Sequence, residues 1–252
     1  MNILILNTKG GVGKSTIAQH VLCPYLYLKG GGVVNLFEID ELNFDSINLS
    51  KTKVFHSKCL KLSQLNPSSF SSLFESNLNV IDVGGNISAV QALKFFGKAH
   101  ILDVLDLIIV PVMSGLQDAL NAKQIYKEVS GKSGNRVFLA LNRVKNEENL
   151  QFEFPHIFGF DDVASVFSSV PEYILIPDDS ILEYAKNFGQ TVFELAEKNV
   201  EELLQKRKEA LKQKNRERAL KLTQRIYLVE RARDFMRKLE ALVYPVLDKT
   251  GS

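Results

Sequence analysis

The sequence has 252 residues, of which 45% are hydrophobic and 24% charged, and its formal net charge is +2. This composition indicates a soluble globular protein, long enough for one sizeable α/β domain with a small appendage. Two cysteines exclude a disulfide framework or a cysteine metal site, and no run approaches the roughly 18 apolar residues that span a bilayer. We expect reduced thiols, a cytoplasmic location and no cleaved leader.

Continuous apolar runs alternate with helical patterns as far as about Leu195. Runs without polar alternation are typical of parallel strands covered on both faces. In chain order the predicted elements are strand Ile3–Leu6, helix Lys14–Leu28, strand Val33–Ile39, strand Leu78–Val83, helix Ala89–Phe96, strand Leu105–Val112, helix Gly115–Val129, strand Arg136–Leu141, helix Asp161–Phe167 and strand Tyr173–Ile176. The pattern predicts a doubly wound α/β fold with a mostly parallel sheet, whose ligands bind at the carboxyl ends of the strands.

Two regions resist this interpretation. Leu42 to Phe74 is rich in Ser, Asn and Lys and has weak periodicity, and Val144 to Val170 contains an aromatic cluster between Phe152 and Phe160. The composition of that cluster favours core packing over a binding site. The four histidines are scattered without ligand spacing, so we assign them no role.

A glycine-rich loop connects the first strand to the first helix and reads LNTKGGVGKST. Its end fits the P-loop pattern, but Thr8 stands where that pattern requires its first glycine. Glycines let backbone N–H groups turn toward phosphate oxygens, and the following helix directs its positive N-terminus at them. Lys14 would reach the β- and γ-phosphates, Ser15 would place a hydroxyl on Mg²⁺, and Thr16 would donate to the α-phosphate. The predicted phosphate-binding residues are Gly10, Gly11, Val12, Gly13, Lys14, Ser15 and Thr16.

The stretch KGGVGKST also contains a second lysine, Lys9, ahead of the glycines. It resembles the deviant Walker A motif of the ParA/MinD family of ATPases, and other segments extend the resemblance over roughly residues 1–195. The resemblance implies that Lys9 reaches across a dimer interface to the nucleotide of a second copy. It also implies a P-loop NTPase fold, ATP and Mg²⁺ as ligands, and an ATP-dependent homodimer.

Three carboxylates follow predicted strands and match the acidic positions of this family. In LFEIDE, Asp40 matches the acid that orients the attacking water, whereas Glu38 replaces the usual first aspartate and would hold a Mg²⁺-bound water. In LNVIDVGG, Asp82 resembles a Walker B acid that bonds the Mg²⁺ shell. The two glycines after Asp82 would let a backbone N–H approach a γ-phosphate, or would simply form a strand-to-helix turn.

The predicted base pocket also comes from the resemblance. FLALNRV resembles the strand whose asparagine recognises adenine, which places that role on Asn142 with Arg143 beside it. ILIPDDSILEYAKNFGQTVFEL resembles the last segment of the family's domain, in which Pro177 and Asp178 would line the pocket through backbone groups.

The character of the chain changes near Phe193, so we predict an ATPase domain over residues 1–194 and a helical extension over residues 195–252. The extension holds 15 basic and 9 acidic residues, and Gln205 to Lys221 alone holds 8 basic and 2 acidic residues. That stretch indicates either a surface for a polyanion or a solvated helix face. The later part, Leu222 to Val243, has apolar residues at three- and four-residue spacing and predicts an amphipathic helix. Its apolar face would pack on the ATPase domain or on a second copy, or would bind a membrane.

From these observations we predict a Mg²⁺-dependent ATPase of the ParA type that acts in plasmid or chromosome partition. Its partners would be a second copy, non-specific DNA bound by Gln205–Lys221, and a DNA-bound adaptor or activator protein. One alternative is a MinD-like positioning ATPase that holds a membrane through its amphipathic helix. Another is an accessory ATPase of a conjugation or plasmid-stability system. Metabolic P-loop enzymes are disfavoured by Lys9, and an iron–sulfur reductase is disfavoured because no cysteine follows the Asp82 strand.

Overall fold

A single parallel sheet forms the centre of the molecule. The computed structural model describes residues 1–41, 45–49, 51–70, 73, 78–130 and 136–249. Among these residues seven strands run in the spatial order β3-β2-β4-β1-β5-β6-β7, and every neighbouring pair is parallel. The strands are β1 (Asn2–Ile5), β2 (Val34–Ile39), β3 (Phe55–Leu60), β4 (Asn79–Val83), β5 (Leu107–Val112), β6 (Arg136–Val144) and β7 (Tyr173–Pro177). The predicted doubly wound parallel sheet is confirmed.

Strand β3 was not predicted from the sequence. It lies within the polar region Leu42 to Phe74, part of which falls outside the described residues. Only its terminal residues Phe55 and Leu60 are buried, because β3 is an edge strand that pairs with β2 alone. An edge strand does not need the continuous apolar run that reveals a central strand.

Helices cover both faces of the sheet. The first combines α-helical α1 (Lys14–Ile17), a π-helical segment (Ala18–Leu22) and α2 (Cys23–Gly30). The others are α3 (Ile87–Lys98), α4 (Leu116–Ser130), α5 (Leu150–Glu153), α6 (Pro155–Phe158), α7 (Ile181–Asn187), α8 (Val192–Ala196), α9 (Val200–Lys212), α10 (Arg216–Leu242) and α11 (Tyr244–Asp248). Short 3₁₀ turns occupy Asp45–Leu49, Leu62–Gln64, Pro67–Phe70, Leu102–Val104 and Glu147–Asn149.

The predicted helix over Asp161–Phe167 is wrong. Gly159 and Asp161 both have positive φ angles, of 77° and 52°, which end the helical path. The chain then forms a loop that is held by a two-way backbone pairing between Phe160 and Val163, and by a hydrogen bond from Ser165 Oγ to Ile157 O at 2.6 Å. Helical spacing of apolar residues was therefore overruled by turn geometry.

Successive strand residues alternate between two cores. Ile3 and Ile5 of β1 pack with the first helix and with α7, α8, α10 and α11, whereas Leu4 packs on the other face with α3, α4 and α6. All three side chains are fully buried. This arrangement explains why the strands read as continuous apolar runs, since a polar residue on either face would be desolvated.

The C-terminal helices return to the domain. Val229, Phe235, Leu239 and Val243 are at most 1% exposed and belong to the same core cluster as the strands and the first helix. The amphipathic pattern predicted a helix here, and the structure shows that its apolar face packs inward. The division at residues 194 and 195 stays a prediction.

Helices α9 and α10 form an antiparallel hairpin whose tip carries the basic stretch Gln205–Lys221. Ala210 and Ala219 are buried in the seam between the two helices. The basic residues around the turn, among them Lys208, Lys212 and Lys214, are exposed. Within the described part of the chain, none of the helices has the length and hydrophobicity to cross a bilayer.

Candidate nucleotide site

The glycine-rich loop lies between β1 and α1 at the carboxyl edge of the sheet. Gly11 and Gly13 have φ angles of 76° and 92°, in the left-handed region that side chains disfavour. A Cβ atom on Gly13 would also lie 2.1 Å from the side-chain nitrogen of Asn142. Glycine is thus required at position 13 for backbone conformation and for space, and the loop can turn its N–H groups toward a phosphate.

Lys14 is buried beneath this loop, with a residue exposure of 7%. Its Nζ donates to the backbone oxygen of Lys9 at 2.9 Å. Burial lowers the pKa of Lys14 from its ordinary value, and the charges of Asp82 and Asp40 oppose that shift. A cation held between a loop and two carboxylates is positioned to neutralise a phosphate group.

The carboxylates converge because their strands are neighbours in register. Glu38 of β2 lies opposite Asp82 of β4, and Asp82 lies opposite Ile5 of β1, directly before the loop. Asp82 and Glu38 are 4% and 3% exposed, whereas Asp40 lies beyond the end of β2 and borders the open cleft. The structure therefore brings the three predicted acids to one edge of the sheet beside Lys14.

Glu38 is engaged with the protein itself. Its carboxylate accepts hydrogen bonds from Gln19 Nε2 at 3.1 Å, from Ser46 N at 3.0 Å, and from Ser46 Oγ. These contacts tie the 3₁₀ turn after β2 to the π-helical segment. The predicted Mg²⁺ role of Glu38 stays a prediction, and in this structure the group anchors the wall of the cleft.

The segment after β4 packs directly on the glycine-rich loop. A Cβ atom on Gly84 would lie 2.1 Å from Oδ2 of Asp40, and one on Gly85 would lie 3.0 Å from the nitrogen of Gly10. Asn86, with a φ of 54°, donates its backbone N–H to the oxygen of Thr8. Close approach, more than an ordinary turn, explains the glycine pair, and it couples this segment to the loop.

Together these segments enclose an open cleft of about 680 Å³, a size suited to a nucleotide. Six of the seven predicted phosphate-binding residues border it, while the seventh, Val12, is buried behind the loop. The lining also includes Asp40, Arg143, Gly84 and Gly85. The predicted site residues thus lie together, although their roles stay predictions.

Lys9 has a partner that the sequence did not reveal. Its Nζ lies 2.7 Å from Oδ1 of Asp118 in α4, and the two side chains are 40% and 10% exposed. The backbone N–H of Lys9 donates to Asn7 Oδ1 at 3.0 Å, which orients the start of the loop. Lys9 therefore points away from its own phosphate cleft. It borders a separate concave surface together with Thr8, Asn86 and Gln117.

The residues of the predicted base pocket lie at the ends of β6 and β7. Asn142 is 8% exposed, and its Nδ2 donates to Val12 O at 2.8 Å while its Oδ1 accepts from Arg143 N at 3.0 Å. Arg143 has a φ of 62° at a bulge in the pairing of β6 with β7. Pro177 is the buried last residue of β7, and the backbone N–H of Asp178 donates to Val144 O at 2.9 Å.

Sequence reasoning missed two buried polar residues of the π-helical segment. Gln19 holds Glu38, and His20 Nδ1 accepts from the backbone N–H of Val192 at 3.1 Å. Burial, together with the charge of Lys186, lowers the pKa of His20 to about 3, so the ring stays neutral and accepts this bond. A π-helical turn is a marker of functional sites that cannot be read from residue spacing.

The residues present fit a Mg²⁺ ion bound with a triphosphate. Ser15 follows Lys14 at the loop, and Asp82 lies near Lys14 at the end of β4. A hydroxyl and a carboxylate are oxygen ligands of the kind that Mg²⁺ takes, alongside phosphate oxygens and water.

Comparisons with known proteins identify the fold. No family model and no curated protein matches the sequence. The MinD cell division protein of Aquifex aeolicus superposes with a TM-score of 0.52 at 15% identity, over 76% of this chain and 88% of that chain. A chain of the MinC:MinD complex of the same organism superposes with a TM-score of 0.50 at 16% identity, over 76% and 87% of the two chains. The chain therefore has the fold of a MinD-type P-loop NTPase, and at this identity the likeness concerns the fold alone.

Proposed function

We propose that this protein is a Mg²⁺-dependent ATPase of the ParA/MinD type, which dimerises on ATP and acts in the positioning of DNA. The observation that carries the proposal is the buried Lys14, held between the glycine-rich loop and the acids Asp40 and Asp82, with Lys9 beside it. The fold shared with MinD is consistent with it. A cytoplasmic location remains part of the proposal.

Positioning and charge neutralisation supply most of the catalysis of phosphoryl transfer. The glycine-rich loop and Lys14 would bind the β- and γ-phosphates, and Thr16 the α-phosphate. Ser15 and Asp82 would hold Mg²⁺, with Glu38 shaping the wall behind them; the ion would neutralise charge that develops on the phosphate oxygens. Asp40, which lines the cleft and lies against Gly84, would orient the attacking water.

Dimerisation is supported by the surface around Lys9. Two large apolar side chains of α3 border this surface with Lys9 and are exposed, Ile87 by 70% and Val90 by 42%. Contiguous exposed apolar side chains mark interaction surfaces. Lys9 would have to exchange Asp118 for the phosphates of a second copy. Asp118 is only 7% exposed, so this exchange leaves a largely buried carboxylate without its cation, and the new phosphate contacts must offset that cost.

A hydrolysis assay tests the enzymatic proposal. We expect phosphate release from ATP with Mg²⁺, its loss on chelation by EDTA, and its recovery when Mg²⁺ is restored, because the triphosphate charge needs the cation. A sizing column with and without ATP reports the dimer. Hydrolysis that persists in EDTA, or none under any condition, would contradict the proposal.

DNA binding is supported by the exposed basic tip of the α9–α10 hairpin, since neutralising phosphates gives sequence-independent affinity. Replacing Lys208, Lys212 and Lys214 by alanine should weaken binding to random-sequence duplex DNA in the presence of ATP. The slope of log affinity against log salt should shrink by up to about 2.7, or about 0.9 for each lost phosphate contact. Filter binding across a salt series measures both quantities.

The matched control for this variant replaces Lys98, Lys127 and Lys238, which are also exposed but lie outside the tip. The control should bind DNA as the wild type does. Equal losses in both triple variants would indicate a general charge effect, and an unchanged tip variant would remove the hairpin from the interface.

The structure weakens the alternative of a membrane-associated ATPase, which needs a free apolar helix face. The apolar face of Leu222 to Val243, which would enter the lipid, is largely packed into the core. Co-sedimentation of the intact chain with anionic vesicles tests what remains of this alternative. A DNA-bound adaptor protein and an accessory role in conjugation or plasmid stability stay open, because nothing in the described residues selects between them.

A further inference from the structure

A second cleft adjoins the phosphate cleft on the side of β6 and β7. Its volume is about 680 Å³, and its lining includes Met113, Asn142, Arg143, Phe152 and Asp178. Arg143 borders both clefts, so a ligand can extend from the glycine-rich loop into the second cleft. Arg143 holds a positive φ at this junction, and strained residues of this kind concentrate at ligand sites.

Among the residues that line this cleft, Phe152 has an exposure that core packing does not explain. Its side chain is 70% exposed, whereas Phe154, two residues later, is 1% exposed and belongs to the core. The sequence favoured core packing for the whole aromatic cluster, but the structure divides it. A ring this exposed buries little apolar area in the core, and it offers a flat apolar face to a ligand in the cleft.

The ring of Phe152 is held in place from two directions. Phe160 packs edge-on against it, with a centroid distance of 5.9 Å and an interplanar angle of 89°. The adjacent Glu153 accepts hydrogen bonds from the backbone N–H groups of Lys145 at 3.0 Å and Asn146 at 2.7 Å. Those two residues follow Arg143 on the loop after β6, so Glu153 fixes the position of Phe152 relative to that loop.

The amide side chain at this end of the site already has hydrogen-bond partners in the protein. The amide of Asn142 already bonds Val12 O and Arg143 N, which leaves it one N–H and one oxygen lone pair for a ligand. Apolar contact with the base would therefore add affinity that this amide alone does not supply. Every nucleobase has a π face, and a purine offers the larger one.

We propose that Phe152 forms the stacking wall of the base subsite and selects purine nucleotides whose triphosphate occupies the glycine-rich loop. The inference rests on the proposed nucleotide site and adds a specificity-determining residue to it. Among the described residues, the lining of the second cleft includes none of the predicted phosphate-binding residues and none of Glu38, Asp40 and Asp82, so the contribution of Phe152 is separable from phosphate binding.

The test compares ATP with inorganic tripolyphosphate, both with Mg²⁺, on the full chain by calorimetry. Phe152→Ala should weaken ATP binding about 10-fold, in line with the loss of one base–aromatic stack, and should leave tripolyphosphate affinity within about 2-fold. Phe188→Ala is the control, because Phe188 is also exposed, by 37%, and lies outside both clefts. The control should change neither affinity.

A fluorescent variant gives an independent measurement. The chain contains no tryptophan, so Phe152→Trp introduces a single indole. ATP and GTP should quench its emission by stacking, CTP and UTP should do so less at equal concentration, and tripolyphosphate should leave the emission unchanged. Quenching by tripolyphosphate as strong as by ATP would overturn the proposal.

The outcomes separate this inference from the proposed function. Suppose that the wild type binds both tripolyphosphate and ATP, and that Phe152→Ala weakens the binding of neither ligand, or of both equally. The proposed stacking role of Phe152 is then wrong, while the proposed phosphate site stands. If the wild type binds neither ligand, both proposals fail.

Discussion

Replacing Lys14 by alanine is expected to lower the rate of ATP hydrolysis by about 10²–10³-fold, the cost of removing one preorganised electrostatic group from a reacting centre. ATP binding should weaken by about 10- to 150-fold, since hydrogen bonds to charged groups contribute ~1.5–3 kcal/mol each. Lys14 is the buried cation at the loop, and the charges of Asp82 and Asp40 act on it. Calorimetry with ATP and a phosphate-release assay measure the two effects.

Lys29→Ala is the control for Lys14→Ala. Lys29 lies at the far end of the same continuous helix, where it pairs with Asp248 at 2.7 Å on the surface. It should hydrolyse ATP at the wild-type rate. Circular dichroism should show both variants folded, because the side chain of Lys14 contributes a desolvated charge rather than apolar packing. Hydrolysis that survives the loss of Lys14 would remove the phosphate role from this lysine.

Lys9→Ala is expected to abolish the ATP-dependent dimer and to lower hydrolysis by about 10³-fold or more, the range for a positive residue supplied in trans. ATP binding by the monomer should stay within about 3-fold of the wild type, since Lys9 points toward Asp118 and away from its own cleft. Sizing chromatography with ATP, titration calorimetry and phosphate release give the three readings.

Two controls make this experiment specific for action across the dimer. Asp118→Asn removes the ion pair but keeps Lys9, so it should still dimerise with ATP. An Asp40→Ala chain should bind ATP without hydrolysing it, and mixing it with Lys9→Ala should recover part of the wild-type rate, because each mixed dimer contains one complete site. A dimer of Lys9→Ala with ATP, or a mixture as inactive as its components, would show that Lys9 does not complete a second site.

Much of the candidate site was predictable because its residues follow strands that are buried on both faces. Such strands leave long apolar runs, and parallel strands end at the same edge, so Asp40, Asp82 and Asn142 could be expected near Lys14. The glycine-rich loop is contiguous in the sequence, so a local motif of this kind can be recognised without knowledge of distant contacts.

Other features depended on contacts between distant residues. Edge strand β3 lacks the apolar run of a central strand, and the expected helix over Asp161–Phe167 gave way to turns at Gly159 and Asp161. The pairing of Lys9 with Asp118 joins positions 109 residues apart. No periodicity encodes such a pair, because both residue types are common on surfaces and their distance follows from packing.

The sequence by itself determined the parallel α/β sheet, the glycine-rich loop and the acids beside it, since each depends on local residue order and hydrophobic pattern. Only the tertiary structure decided where the remaining side chains face. It packed the amphipathic C-terminal helix inward, used the amide of Asn142 to hold the loop, and exposed Phe152 while burying Phe154. Burial and partner choice depend on which distant surfaces meet, and an apolar residue has the same composition and spacing whether it faces the core or a ligand.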